Sequence, residues 1–450
     1  MEKITIKGFT LVIACVAALG GLLFGFDTAV ISGTLHYLAV YFNLNPASLG
    51  LVVAATSIGC IPGALFAGRF ADRFGRKSML QVAAMLYILA AAGSGLAGSF
   101  GILVVFRFIG GLAIGIASTT APIYISEIAP PAFRGRLGML QQLAIVSGIL
   151  LSFISNYWIV YGGWMGLDMH NYWRYMMGAA VIPSVIFFLL LLLVPESPRW
   201  LISIGNYDRS RWIFSRIYSE KQASIQVSIV QQDLASHQQA SIREVFSTRY
   251  RKVVFMGIVF AAIAQLTGIN IIFYYAPAIL EKTHVHISIL LQTMLTGIVN
   301  LVFTLFAFLL IDRLGRKKLL LGGSAVMGLS LLTIGWLFHI NQLANYLLLS
   351  LIFLYIAAFA CTWGAVLWVY VAEIFPNRIR GTATSIAVFG NWTANSLVSL
   401  SFLPMLNGLG GAGTFWIYGA INLLMIIFVS KYVFETRGVP LEEVEKLYVP

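Results

Sequence analysis

A succession of long apolar runs limits this chain more than any other feature. A helix crosses the hydrocarbon core of a bilayer with about 20 apolar residues. Twelve runs of about that length can be read, at about 10–34, 47–68, 79–98, 101–122, 138–158 and 175–194, then 253–280, 287–311, 318–338, 345–372, 382–406 and 412–434. Of the 450 residues only 10% are charged and 59% are hydrophobic, against ~25% charged in a soluble domain. The expected fold class is an all-α membrane protein with twelve transmembrane helices.

The net charge of +12 would suit nucleic acid, but its distribution points to the membrane. All 29 lysines and arginines except Arg107, Arg174 and Lys282 fall in the tails or in the loops 2–3, 4–5, 6–7, 8–9 and 10–11. Basic loops stay on the cytoplasmic side, which puts both termini there. The expected partner of this charge is the lipid bilayer, with no nucleic acid. The opening "MEKITIKGFTLVIACVAALGG" carries Lys3 and Lys7 as a signal peptide would. Its apolar run outlasts an h-region of roughly 7–15 residues, so it reads as a retained first helix.

Several motifs carry nothing. Cys15, Cys60 and Cys361 lie in apolar spans without metal-ligand spacing and read as small buried hydrophobes. "GSGLAG" at Gly93–Gly98 and the sequon "NWT" at Asn391–Thr393 sit inside spans. With no H-E-x-x-H, P-loop or nucleophile elbow, neither an enzyme nor a metal or cofactor site is expected.

The chain repeats itself. "DRFGRK" at Asp72–Lys77 returns as "DRLGRK" at Asp312–Lys317, 240 residues on. "SEIAPPAFRG" at Ser126–Gly135 returns as "AEIFPNRIRG" at Ala372–Gly381, 246 on, and "PESPRW" from Pro195 is echoed by "FETRGV" from Phe434, 239 on. Such a constant offset marks a duplicated six-helix unit, the parallel repeat of a two-bundle transporter. The expected organisation is a bundle over 1–194, a cytoplasmic linker with short amphipathic helices over 195–252, and a second bundle with a short tail over 253–450. Each repeated element mixes acids and arginines near helix ends: Asp72 with Arg73 and Arg76, Glu127 with Arg134, Asp312 with Arg316, Glu373 with Arg380. These are expected to form ion pairs between the halves, latching the cytoplasmic side.

Away from their ends the spans hold one acid and one base, Asp27 and Arg107. A charge at mid-membrane costs roughly 2.5–3.5 kcal/mol on the insertion scale. Both lie roughly 10 Å below the outer surface, given 1.5 Å of rise per residue. Their pairing is expected, and protonation of Asp27 would release Arg107. The seventh span carries Gln265, Thr267 and Asn270, with Gly268 and Pro277 permitting local unwinding. Gln265 and Asn270 stand about 140° apart on a regular helix and so would flank one face. Amides beside Trp368 and Trp392 suit a carbohydrate, whose hydroxyls bond amides and whose C–H face packs on aromatic rings.

"DRFGRK", "DRLGRK", "SEIAPPAFRG", "PESPRW", "QLTGIN", "AEIFPNRIRG" and "FETRGVPLEEVEKL", in this order and spanning nearly the whole chain, resemble the sugar porter family of the major facilitator superfamily. The resemblance implies two pseudo-symmetric six-helix bundles and a site between them. It implies sugar contacts at Gln142, Gln265, Asn270, Asn300, Trp368 and Asn391, with Phe24, Tyr274 and Trp392 lining the cavity. Members that couple to protons have an aspartate and an arginine where Asp27 and Arg107 stand. Ala264 replaces a usual glutamine, Ala365 a usual proline, and Asn391 the glutamine of xylose-type carriers.

The expected function is proton-coupled monosaccharide symport by alternating access, performed by a monomer in a bacterial inner membrane. Its rivals are a uniporter, a proton-linked drug exporter of the same fold, and a non-transporting sugar sensor.

Overall fold

The computed structural model describes residues 8–162, 168–236, 242–281, 285–342, 346–376 and 378–437. The side chains at 132, 235, 236, 242, 312 and 372 fall outside that description, so the expected role of Asp312 has no counterpart below. Among the described residues there are helices and no strands.

The first six spans are α1 Gly8–Phe42, α2 Pro46–Phe74, α3 Arg76–Gly95, α4 Phe100–Ile128, α5 Arg134–Tyr161 and α6 Met169–Leu193. The next four are α7 Arg251–Leu280, α8 Ile289–Leu314, α9 Arg316–His339 and α10 Tyr346–Ile374. A last helix, Arg380–Tyr432, runs for 53 residues, but Gly410 within it has φ 71° and ψ 174°. That kink separates α11, 380–409, from α12, 411–432. Among the described residues eleven stretches are long and apolar enough to cross a membrane, and the kink in the eleventh is consistent with twelve crossings.

Local sequence sets the ends. Asn45 caps α2, its side chain accepting from Ser48 N at 2.8 Å ahead of Pro46. Gly75 (φ 95°) and Gly315 (φ 85°) end α2 and α8 in backbone conformations that disfavour a side chain, and α3 and α9 start at the next residue. Packing within the first half relies on small residues. A Cβ on Gly25 of α1 would lie 1.9 Å from Ile145 O of α5, and one on Gly111 of α4 would lie 2.0 Å from Thr56 O of α2. Backbones that close gain dispersion contacts that lipid cannot supply.

The halves touch along α2 with α11 and α5 with α8. Ser57 Oγ donates to Asn395 Oδ1 at 2.7 Å in the first of these seams. The linker helices Pro198–Ser203, Tyr207–Ile217 and Glu220–Ser236 pack on each other beneath the first half, where Trp200 Nε1 donates to Asp72 O at 2.9 Å. The short helix Ile242–Val245 lies against the second half through Glu244 and Arg378, 2.7 Å apart.

Arg174, one of the basic residues outside the topological pattern, has a structural reason. Its guanidinium donates to Gly95 O at 3.1 Å, Ala97 O at 2.9 Å and the Tyr41 hydroxyl at 2.9 Å. It thereby caps the end of α3, where carbonyls lack helical partners.

Candidate functional site

Asp27 on α1 and Arg107 on α4 meet inside the first half. Arg107 Nη1 lies 2.9 Å from Asp27 Oδ1, with the arginine side chain 2% and the aspartate side chain 15% exposed. Gly110, almost one turn beyond Arg107, lies beside the carboxylate: a Cβ there would stand 3.7 Å from Oδ1, an ordinary contact. Asp27 Oδ2 and Arg107 Nε have no hydrogen-bond partner among the described residues. An acceptor buried in that state costs about 1–3 kcal/mol, a cost that a proton arriving on Oδ2 would change. The pair thus leaves one buried carboxylate oxygen without a partner among the described residues.

A second polar group forms in the other half, where α7 breaks. Gly268 adopts φ 91°, and the helix divides into Arg251–Leu266, Ile269–Tyr274 and Ala276–Leu280. The Thr267 carbonyl freed at the break accepts from the Tyr355 hydroxyl of α10 at 2.8 Å and from Asn422 Nδ2 of α12 at 3.1 Å. Such buried groups must be satisfied for a break to persist in hydrocarbon.

The break corrects one expectation. Gln265 and Asn270 do not flank a face: Asn270 Nδ2 donates to Gln265 Oε1 at 2.6 Å. The 140° separation assumed a regular helix, and the left-handed residue between them cancels it. Gln265 Nε2 then donates to Asn391 Oδ1 of α11 at 2.8 Å.

Asn395, one turn beyond Asn391, is the hub that sequence reasoning missed. Its Nδ2 donates to Gln265 Oε1 at 3.0 Å, and its Oδ1 accepts from Ser57 Oγ at 2.7 Å and from the Tyr274 hydroxyl at 3.4 Å. The signal was present in "FGNWTANS", since residues four apart share a helix face.

Aromatic residues close the group. Phe24 of α1 meets Trp392 edge-on, ring centres 5.4 Å apart, and Trp368 of α10 packs against the apolar cores of both halves. Trp392 Nε1 is buried without a partner among the described residues. Gln142 on α5, partly exposed, and Asn300 on α8, 3% exposed, make no hydrogen bond among the described residues. The structure thus joins Gln265, Asn270, Asn391 and Tyr274 in one network, joins Phe24 with Trp392, and leaves Gln142 and Asn300 unengaged.

At the basic ends the duplicated motifs form duplicated networks. Arg76 Nη2 reaches Asp72 Oδ1 at 2.9 Å and Glu127 Oε1 at 3.0 Å, and Arg316 Nη2 reaches Glu373 Oε1 at 2.9 Å. Glu196 Oε1 accepts from Arg76 N at 2.9 Å and Lys77 N at 3.0 Å, capping α3; Glu435 accepts from Arg316 N at 2.9 Å and Lys317 N at 3.0 Å, capping α9. Ser197 and Thr436 donate to Glu127 and Glu373. A carboxylate at a helix N-terminus satisfies orphan N–H groups and the positive end of the helix dipole.

Two expectations about this region change. Glu127 and Glu373 pair with Arg76 and Arg316 rather than with Arg134 and Arg380, because the tight turns at Gly75 and Gly315 deliver those arginines to the feet of α4 and α10. Arg134 is exposed and lies near Tyr218, whose hydroxyl is pushed up by burial against the pull of the Arg134 charge. Arg380 Nε donates to Phe375 O at 3.1 Å, and Arg73 stacks on Phe74. Among the described residues the ion pairs of these motifs also join elements of one half, not of two. The seams between the halves run elsewhere.

A buried acid–base pair in one bundle, and an amide and aromatic group drawn from helices of both, define a two-bundle membrane carrier. The family model for sugar (and other) transporters matches residues 13–448, and the chain belongs to that family. The arabinose-proton symporter of Bacillus subtilis is 39% identical over 444 residues, 98% of this chain and 96% of the relative. The inward open conformation of the E. coli xylose transporter superposes with a TM-score of 0.86 at 36% identity, covering 98% of this chain and 100% of that one. The major facilitator superfamily proton:xylose symporter bound to 6-bromo-6-deoxy-D-glucose superposes at 0.82, with 35% identity, 99% of this chain and 100% of that one. The fold is thus the major facilitator fold.

Proposed function

We propose that this chain moves a monosaccharide, hexose or pentose, inward with a proton by alternating access, as a monomer in a bacterial inner membrane with both termini in the cytoplasm. The observation that carries the reading is the Asp27–Arg107 pair, held through Oδ1 with Oδ2 buried and unpartnered among the described residues, in a chain similar to proton-coupled sugar symporters. Sugar hydroxyls would replace the amide–amide bonds of Gln265, Asn270 and Asn391 and engage Gln142, Asn300 and Trp392 Nε1. Exchanging one hydrogen bond for another is close to neutral, because each is worth only about 0.5–1.5 kcal/mol net. The aromatic faces of Phe24, Trp368 and Trp392 then take the C–H side of the ring.

Breaking a buried ion pair without rearrangement costs about 3–5 kcal/mol. Protonation of Asp27 therefore has to be accompanied by movement of α1 against α4, which links the proton to opening. The arginine–carboxylate pairs at the cytoplasmic feet, Arg76 with Asp72 and Glu127 and Arg316 with Glu373, would keep each half rigid while the halves rock. A latch through Arg134 and Arg380 would form when the cytoplasmic ends meet. Uptake of labelled xylose, arabinose and glucose into proteoliposomes, with and without an inward proton gradient, tests this. Accumulation above the external concentration only with the gradient is expected; equal uptake in both conditions would make the chain a uniporter.

A further inference from the structure

The linker helix Tyr207–Ile217 buries Ser210, Ile213, Phe214 and Ile217 against the first half. On another side Arg209, Trp212 and Arg216 are exposed. Their spacing of three and four residues puts them in one stripe along the helix. The Arg216 guanidinium stacks over the Trp212 ring, 5.3 Å from its centre, which holds the cation beside an aromatic face instead of leaving it free in water.

The height of this stripe is set by its neighbour. Trp212 meets Phe9 edge-on, ring centres 6.3 Å apart, and Phe9 is the second residue of α1. The stripe therefore lies at the foot of a membrane span, in the headgroup layer that tryptophan favours. At its other end Arg209 lies within electrostatic reach of Lys77, which also feels the nearby Glu196 carboxylate and whose Nζ donates to Leu192 O at 3.1 Å at the end of α6. Directly above, α6 exposes Leu189, Leu192 and Leu193 and α1 exposes Leu11 and Val12. Apolar surface for acyl chains thus continues into a basic stripe.

Among the described residues Arg209, Arg211 and Arg216 form no ion pair. Nor does the helix float: Asn206 caps it at Arg209 N, 3.3 Å, and the preceding helix is tied to Asp72 O through Trp200.

We propose that Arg209, Trp212 and Arg216, with Lys77 beside them, form a binding site for the headgroup of an anionic phospholipid of the cytoplasmic leaflet. The phosphate sits between Arg209 and Arg216, the Trp212 ring lies at the glycerol level, and the chains run up the apolar surface of α1 and α6. Unlike the diffuse attraction of basic loops to an anionic surface, this site is preorganised, so little ordering is needed on binding.

The test uses the whole chain in phosphatidylcholine nanodiscs containing a photoactivatable phosphatidylglycerol, with cross-links mapped by mass spectrometry. Labelling is expected in Tyr207–Ile217 and at the feet of α1 and α6. Unlabelled phosphatidylglycerol should compete it away and phosphatidylcholine should not. Each arginine near an anionic surface strengthens attraction about fivefold, so the double variant Arg209→Gln/Arg216→Gln should lose labelling there by more than about tenfold. Labelling at the other basic loops should be unchanged. The charge-preserving Arg209→Lys/Arg216→Lys variant should retain most of it, separating loss of charge from loss of fold. Equal competition by the two lipids, or undiminished labelling in the glutamine variant, would reduce the stripe to a solvated basic face and overturn the proposal.

Discussion

The two halves agree at their basic ends and differ in mid-membrane. At the basic ends, Arg76 with Glu127, Glu196 and Ser197 is matched nearly atom for atom by Arg316 with Glu373, Glu435 and Thr436. In mid-membrane the first half holds a charged pair, Asp27 with Arg107, while the second holds neutral amides around the broken α7. A network that only braces helix ends can serve both copies unchanged. Under the proposed function the interior cannot, because coupling a proton needs a titratable group and recognising hydroxyls needs neutral groups that both donate and accept.

The sharpest way to break this contrast is Asp27→Asn, which keeps the shape but fixes a neutral state. Accumulation of sugar in vesicles under an inward proton gradient should vanish, while sugar-for-sugar exchange and binding persist. Continued accumulation would move the proton route elsewhere and erase the division of labour between the halves.

The likeness of the basic ends can be sharpened by stability. Removing one partner of a buried pair costs about 3–5 kcal/mol. The Glu127 side chain is 7% exposed against 22% for Glu373, so the first pair is the more deeply buried. Arg76→Met should therefore lower the melting temperature in detergent more than Arg316→Met. Equal losses would show that the duplicated networks are equivalent in energy as well as geometry.

In the second half, Gln265→Ala and Asn270→Ala should each weaken sugar binding about tenfold, since each removes an amide that would bond a sugar hydroxyl and leaves that hydroxyl buried and unpaired at about 1–3 kcal/mol. Isothermal titration should detect this with unchanged membrane insertion; normal affinity in both would remove the amide group from the site. Smallest is the seam between the halves. Ser57→Ala deletes the bond to Asn395, about 1 kcal/mol, and should raise labelling of cysteine probes placed on the outer side of the α2–α11 seam a fewfold. Unchanged labelling would mean that the seam is held by packing alone.

By itself the sequence determined the spans, the repeat and the residue types. Hydropathy over some 20 residues is a property of the chain in one dimension, and an offset near 240 needs no folding to be seen. Asp27 and Arg107 were legible because a lone acid and a lone base in hydrocarbon have few alternatives to each other. The tertiary structure decided every contact that depended on a departure from regular helix or on which neighbour stood closest. The left-handed Gly268 brought Gln265 onto Asn270 where helical geometry had separated them. The turns at Gly75 and Gly315 gave Glu127 and Glu373 to Arg76 and Arg316 in place of the arginines nearer in sequence. Asn395 became the hub between site and seam only because α11 lies against α2 and α7 at once. Composition records what a residue can bond, but in a bilayer, where every buried polar group needs a partner, the packing of helices chooses which one it gets.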